Sequence, residues 1–264
     1  MKYRVVATDF DGTLLTSNKV ITEENKQAFN ECRNNGCITV GITARNLSSI
    51  KSVCDIDIFD YLIINNGTYI YNVKEKDGEY LAYIDKSIVD NITKQFLDSS
   101  DGIDYCSVNK YYSNKTQLAK RRPFHVEITD FAEVSERIAR INIFGKTNED
   151  VYSFKSIVNE KYPELNAITM LDTDSKSDRK WVAVNPGNCN KAIALEKLTN
   201  ILGCGMQDVL YFGDATNDIE IITQVGCGVA MGNAIDEVKN AANDVTVSND
   251  ENGVAYYINK IINN

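Results

Sequence analysis

Apolar positions along this chain follow two periods, two and 3.6, in alternating stretches. Residues 2–9, centred on Val5-Val6-Ala7, read as a buried strand, and the amphipathic run 22–35 as a helix with Thr22 as N-cap and Gly36 as C′ stop. A strand at 37–43, a short helix at 46–54 and the strand Tyr61-Leu62-Ile63-Ile64 follow, ending at Asn65-Asn66-Gly67. This order predicts a parallel sheet with right-handed crossovers. The C-terminal part resumes it: helices at 191–202, 217–224, 234–242 and 253–262 alternate with strands at 208–213, 227–231 and 244–248. Between the two parts the texture changes. Tyrosines and charges crowd together (Tyr105, Tyr111, Tyr112; Lys120, Arg121, Arg122), strands become short and alternating, as in Arg140-Ile141-Asn142-Ile143-Phe144, and amphipathic helices are predicted at 86–99 and 149–161. The expected fold is α/β, with a Rossmann-like parallel-sheet core from 1–81 and 186–264 and an α+β unit inserted at 82–185.

Composition narrows the function. With 28 basic against 37 acidic residues the net charge is −9, which argues against nucleic-acid partners, since phosphate-backbone binding needs a basic patch. An anionic substrate must instead be held by a metal or a few cations. No run approaches the roughly 20 apolar residues of a membrane span, and Met1-Lys2-Tyr3-Arg4 leads into the first strand without a signal-peptide pattern, so a cytoplasmic protein with no membrane partner is expected. The 7 cysteines are scattered, with no Cys-x-x-Cys pair, and the 1 histidine is His125, which leaves little for a disulfide framework, a zinc site or a serine or cysteine triad. Gly145-Lys146-Thr147 imitates the end of a P-loop, but Arg140 stands where the loop's first glycine would fall.

The chemistry concentrates at strand ends. Asp9-Phe10-Asp11-Gly12-Thr13 closes the first strand, and a strand alternates its faces with period two, so both carboxylates would point one way if strand geometry persisted. Alone, Asp-Gly-Thr is also ordinary turn chemistry. A second acidic cluster, Gly213-Asp214-Ala215-Thr216-Asn217-Asp218, closes the strand Val209-Leu210-Tyr211-Phe212, and Thr43-Ala44-Arg45 closes Ile38-Thr39-Val40-Gly41-Ile42. In open parallel sheets ligands bind beyond the carboxyl ends of the strands, so the three ends are expected to share one site. Lys191 opens a helical pattern, where the helix dipole disfavours a cation; that misfit suggests the ammonium is needed there.

In order and spacing, Asp9-x-Asp11-x-Thr13, Thr43, Lys191 and Gly213-Asp214-x-x-Asn217-Asp218 resemble the haloacid dehalogenase-like phosphohydrolases. The insertion, with Asn66-Gly67 and Asn249-Asp250-Glu251-Asn252-Gly253, resembles the Cof-type branch, in which the insertion is a large α/β cap. Ala44 departs from the glycine usual in this branch. The resemblance implies that Asp9 is the nucleophile, forming an aspartyl-phosphate, and that Asp11 is general acid and then base. It implies Mg²⁺ held by Asp9, the Asp11 carbonyl and Asp214; phosphoryl oxygens gripped by Thr43, the Ala44 N–H, Lys191 and Asn217; Lys191 and the metal shell positioned by Asn217 and Asp218; and support from Thr13. A phosphate dianion repels a carboxylate, so a hard cation and Lys191 must offset that charge. A general acid at Asp11 also needs a pKa above the usual value of about 3.9, an expectation tied to the neighbouring Asp9. The implied activity is a Mg²⁺-dependent phosphatase of small phosphorylated metabolites, sugar phosphates foremost. A phosphomutase with the same intermediate and a low-turnover phosphometabolite-binding protein are the competing readings. Arg121, Arg122 and His125 are candidates for leaving-group specificity, since an arginine fork clamps oxyanions bidentately, against the alternative of a solvated charged loop.

Overall fold

The computed structural model describes residues 2–115, 124–171 and 180–262. The chain opens with β1 (Val5–Asp9), α1 (Glu23–Asn34), β2 (Ile38–Ile42), α2 (Leu47–Lys51), β3 (Tyr61–Ile64), β4 (Tyr69–Asn72) and β5 (Asp77–Tyr80). It continues through α3 (Lys86–Phe96), β6 (Gly102–Cys106), β7 (Tyr111–Ser113), β8 (His125–Glu127), β9 (Arg140–Phe144), α4 (Asn148–Lys161), β10 (Leu165–Leu171) and β11 (Lys180–Pro186). It closes with α5 (Lys191–Ile201), β12 (Val209–Gly213), α6 (Ile219–Gln224), β13 (Cys227–Ala230), α7 (Asp236–Ala241), β14 (Asp244–Val245) and α8 (Gly253–Ile262). Two compact units result, one of residues 1–45, 50–79 and 190–264, the other of 46–49 and 80–189.

The first unit is built on an eight-stranded sheet ordered β14-β13-β12-β1-β2-β3-β4-β5. The strands from β14 to β3 run parallel, and β4 returns antiparallel to β3. β1 is central and buried along its whole length, as a continuous apolar run between two parallel neighbours must be. α1 begins at Thr22, whose side chain accepts from Asn25 N–H, and packs against α8. Phe10 and Phe29 both pack against Phe59 in the interior, the first tilted and the second edge-on, at centroid separations of 5.4 and 5.3 Å.

The second unit is a six-stranded sheet ordered β10-β11-β9-β6-β7-β8. One face carries Ile103, Tyr105, Ile141, Ile143, Val182 and Val184, which form a core with Val89, Ile92 and Phe96 of α3 and Val151, Phe154 and Val158 of α4. α4 starts in a capping box in which Thr147 accepts from Asp150 N–H and the Asp150 side chain accepts from Thr147 N–H.

Several expected elements differ in extent. The helix expected at 217–224 is a 3₁₀ turn, Thr216–Asp218, followed by α6. The strand expected at 244–248 pairs only over Asp244–Val245. The helix expected at 46–54 is the five-residue α2. β4 and β5 were not anticipated: Tyr69-Ile70-Tyr71 carries the strand-forming residues but no alternation, and the exposed Asp77-Gly78-Glu79 reads as a loop.

Candidate active site

At the end of β1 the chain leaves strand geometry at once. Thr13 and Leu15 N–H both donate to the Phe10 carbonyl, and Leu14 N–H to that of Asp9, closing a tight turn through Gly12, whose φ is +82°. Only a residue without Cβ fits, because a Cβ there would lie 2.2 Å from Asp214 Oδ2. The consequence corrects the period-two expectation. Asp9 stays buried on the strand, whereas Asp11 sits in the turn with its side chain 39% exposed.

Asp11 is held by cations. Arg45 Nε and Nη2 donate to its two oxygens at 2.7 Å each, and Lys19 Nζ to Oδ1 at 2.9 Å. Burial alone pushes its pKa up, but Arg45 and Lys19 outweigh burial and hold it at about 2. The expected upward shift is therefore wrong for this arrangement: the fork of Arg45, not the charge of Asp9, dominates the Asp11 carboxylate.

Asp9 is in the opposite situation. Burial raises its pKa to about 8, with Asp218 and Asp214 adding to the rise and Lys191 opposing it. Lys191 Nζ donates to Asp9 Oδ1 at 2.6 Å and to Asp218 Oδ1 at 2.9 Å, and the two carboxylates keep this buried ammonium charged, its pKa raised despite burial. Its place at the start of α5 is thereby explained, since two anions offset the unfavourable dipole. The helix start is fixed by Asn190, whose Oδ1 accepts from Ile193 N–H at 2.9 Å while its Nδ2 donates to Glu220. The Asn65-Asn66-Gly67 turn packs against the same point, so closely that a Cβ on Gly67 would lie 2.2 Å from the Asn190 carbonyl oxygen.

Asp218 is saturated. It accepts from Lys191, from the Tyr211 hydroxyl at 2.7 Å and from the N–H groups of Asp214 and Ala215 at 3.2 and 3.1 Å. Asp214 accepts at Oδ1 from the Thr13 hydroxyl at 2.9 Å, and burial raises its pKa to about 6. Asp9, Asp214 and Asp218 each bring a carboxylate oxygen within 4.8 Å of the others. Among the described residues, Asp9 Oδ2 and Asp214 Oδ2 carry no hydrogen bond, so two hard oxygens, one on a buried and one on a half-buried carboxylate, both with a raised pKa, suit a divalent cation such as Mg²⁺.

Thr43 stands at the end of β2, buried. Its N–H donates to the Ile63 carbonyl, its carbonyl accepts from Asn66 N–H, and its hydroxyl accepts from Arg45 N–H at 3.1 Å. Asn65 N–H donates to the Arg45 carbonyl, so the β3 turn shapes the Thr43-Ala44-Arg45 loop. Asn217 is not brought onto Lys191: it is exposed on the 3₁₀ turn, and Asp218 makes that contact. Arg121 and Arg122 lie outside the described residues. His125 lies in the second unit, with Nε2 3.6 Å from Asp104 Oδ2.

Sequence reasoning missed Lys19 and Arg45 as the partners of Asp11 and Tyr211 as the partner of Asp218. It also missed the brace of the β1 turn, in which Asn233 Nδ2 donates to the Gly12 carbonyl and Asn249 Nδ2 to that of Leu15, both at 2.8 Å. Arg45 was visible beside Thr43, and only its target was not.

Comparison with known proteins bears on this arrangement. A family model described as haloacid dehalogenase-like hydrolase matches residues 6–258. The 5-amino-6-(5-phospho-D-ribitylamino)uracil phosphatase YcsE of Bacillus subtilis is 32% identical over 259 residues, 96% of this chain and 93% of that protein. The pyridoxal phosphate phosphatase YbhA of Escherichia coli is 26% identical over 98% of each chain. Among solved structures, a haloacid dehalogenase-like hydrolase from Bacteroides thetaiotaomicron superposes with a TM-score of 0.85 at 24% identity, covering 98% of this chain and 100% of that one.

Proposed function

The chain belongs to the haloacid dehalogenase-like hydrolase family, as a phosphatase of the Cof type, and we propose that it hydrolyses monoesters of small phosphorylated metabolites, sugar phosphates foremost, through an aspartyl-phosphate on Asp9. The observation that carries this reading is the buried pair of Asp9 and Lys191, 2.6 Å apart at the end of the central strand. Lys191 engages only Oδ1, which leaves the other Asp9 oxygen open beside the half-buried Asp214. The relatives named above support the substrate class, being named for phosphorylated small metabolites. The insertion at 82–185 is assigned as the family's cap domain.

In this scheme a carboxylate oxygen of Asp9 attacks phosphorus, the phosphorus–oxygen bond to the alcohol breaks, and the phosphoryl group passes to the carboxylate. Lys191, the Thr43 hydroxyl and the Ala44 N–H bind the phosphoryl oxygens, and Asp218 with Tyr211 holds Lys191 in place. Asp9, the Asp11 carbonyl and Asp214 would hold Mg²⁺, which when bound supplies charge neutralisation between nucleophile and phosphate. Asp11 gives a proton to the leaving alcohol oxygen and takes one from the water that releases phosphate. As Arg45 and Lys19 hold it, Asp11 is a carboxylate, the form suited to the second step; donation in the first requires that it exchange these cations for a proton.

The test is a panel of phosphomonoesters assayed for inorganic phosphate with Mg²⁺, followed by a single turnover quenched in acid and reduced with borohydride, which converts an aspartyl-phosphate to homoserine. Homoserine is expected at position 9 and nowhere else. Its absence while phosphate is being released would remove Asp9 from the nucleophile's role, and transfer to a second hydroxyl without phosphate release would favour the mutase reading.

A further inference from the structure

The motif Asn249-Asp250-Glu251-Asn252-Gly253 has no part in the scheme above, yet it lies against the turn that carries Asp11 and Thr13. Beyond β1 the sheet-like pairing of this turn is an isolated bridge from Asp11 to Leu15. Three of its carbonyls are met by asparagine amides: Asn233 Nδ2 donates to Gly12 at 2.8 Å, Asn25 Nδ2 to Leu14 at 3.3 Å and Asn249 Nδ2 to Leu15 at 2.8 Å. A carboxamide both donates and accepts, so each can tie one backbone segment to another. Asn233 Oδ1 accepts from Asn249 N–H at 2.9 Å, and Asn25 Oδ1 from Ala255 N–H at 3.0 Å. Asp250 adds a two-point contact, its oxygens accepting from Ser17 N–H at 2.8 Å and from the Ser17 hydroxyl at 2.7 Å. The C-terminal segment therefore grips the turn directly at Gly12, Leu15 and Ser17, and at Leu14 through Asn25. All of these residues belong to the first unit.

Buried carbonyls need partners, which accounts for Asn25 and Asn249, themselves buried, against the buried Leu14 and Leu15. It does not account for Asn233, which is exposed and meets the half-buried Gly12, where water could serve as well. What Gly12 separates is chemistry. On one side is Asp11, whose carbonyl is assigned to the metal; on the other is Thr13, whose hydroxyl donates to Asp214 Oδ1 at 2.9 Å. A shift of the turn moves both at once.

We propose that Asn233 and Asn249 are positioning residues for phosphoryl transfer: interlocked through the Asn249 N–H, they fix the Asp11-Gly12-Thr13 turn against Asp9 and Asp214. The role in transfer rests on the phosphatase reading above; the hold on the turn does not.

The test compares wild type with Asn233→Ala and Asn249→Ala. It reads kcat, KM and the half-maximal Mg²⁺ concentration with p-nitrophenyl phosphate, the thermal transition and, in metal-free protein, hydrogen exchange at the Thr13, Leu14 and Leu15 amides. Because Asn233 is exposed, Asn233→Ala is expected to leave the thermal transition within about 2 °C. Its kcat is expected to fall about tenfold with KM nearly unchanged, the Mg²⁺ requirement to rise, and the three amides to exchange about tenfold faster. Asn249→Ala is expected to act in the same direction with a larger loss of stability; if it fails to fold, Asn233→Ala alone decides. Unchanged kcat or unchanged exchange at the turn in Asn233→Ala overturns the proposal. Failure of the phosphatase reading has its own signature, no phosphate released from any monoester by wild type while the turn amides still respond to Asn233→Ala.

Discussion

Metal-free protein is expected to lose stability as pH rises from 5 to 8, the reverse of ordinary acid sensitivity. The cause is Asp9, whose folded pKa of about 8 lies above its unfolded value of 3.8. For a carboxylate with a raised pKa the native state binds the extra proton, so its contribution is fully present below the unfolded value and is lost as pH rises through 8. Each pH unit in that window is worth about 1.4 kcal/mol per proton. Three units give about 4 kcal/mol for Asp9 alone as an upper figure, and coupling to Asp214 and Lys191 brings the expectation to about 2–4 kcal/mol. Asp214, raised to about 6, acts in the same direction between pH 5 and 6. Asp11, lowered to about 2, acts oppositely, but its contribution is lost only as pH falls below its unfolded value, outside the window. With 1 histidine in the chain, few other groups titrate there. At about 2–4 °C per kcal/mol for a chain near this size, Tm in EDTA falls by about 5–15 °C between pH 5 and pH 8. Mg²⁺ binds the deprotonated carboxylates, so its stabilisation grows with pH and flattens the fall. The assay is thermal unfolding at constant ionic strength, with EDTA or with Mg²⁺, on wild type and Asp9→Asn. A metal-free Tm that stays level or rises across this range, or a fall of equal size in Asp9→Asn, would refute the reasoning.

Asp9, Thr43 and the second acidic cluster were legible because each lies at the end of an apolar run, and Lys191 because it opens an apolar helical pattern; apolar periodicity is a local signal. Asp11 shows where that signal stops. Its position was plain, but its electrostatics depend on Lys19 and on Arg45, 34 residues away, which meet it only because the turn at Gly12 lifts it off the strand. Asn217 and Asp218 share a motif, and only the 3₁₀ turn decides that Asp218 faces Lys191. In the second unit, the apolar alternation of Arg140-Ile141-Asn142-Ile143-Phe144 announced a strand with one buried face. That its other face would also be buried, with Asn142 beside Asp104, follows from a sheet register between segments far apart in sequence. β5 was invisible because its residues are exposed and polar, and pairing with a neighbour, not burial, makes it a strand.

Asp9→Asn is expected to retain less than about a hundredth of wild-type kcat, the minimum loss for removing a covalent nucleophile, as read by phosphate release. Asp11→Asn is expected to impair alkyl phosphates far more than aryl phosphates, whose phenolate leaves without a proton; equal losses on both would remove Asp11 from proton donation. Turnover is expected to vanish on chelation and return with Mg²⁺, while Ca²⁺ inhibits, because its larger shell draws in an extra carboxylate oxygen; full activity after exhaustive chelation would sink the metal's role. Gly12→Ala joins two costs at one atom, a left-handed φ of +82° and a Cβ placed 2.2 Å from Asp214 Oδ2. The backbone cost is about 1–2 kcal/mol, and because the Asp214 carboxylate must swing from its Thr13 contact to make room, the loss is expected to fall more heavily on function than on folding. Denaturant unfolding should show a drop of about 1–3 kcal/mol, with kcat at least tenfold lower and the Mg²⁺ concentration for half-maximal activity raised; wild-type metal dependence in this variant would mean that Asp214 is not a ligand.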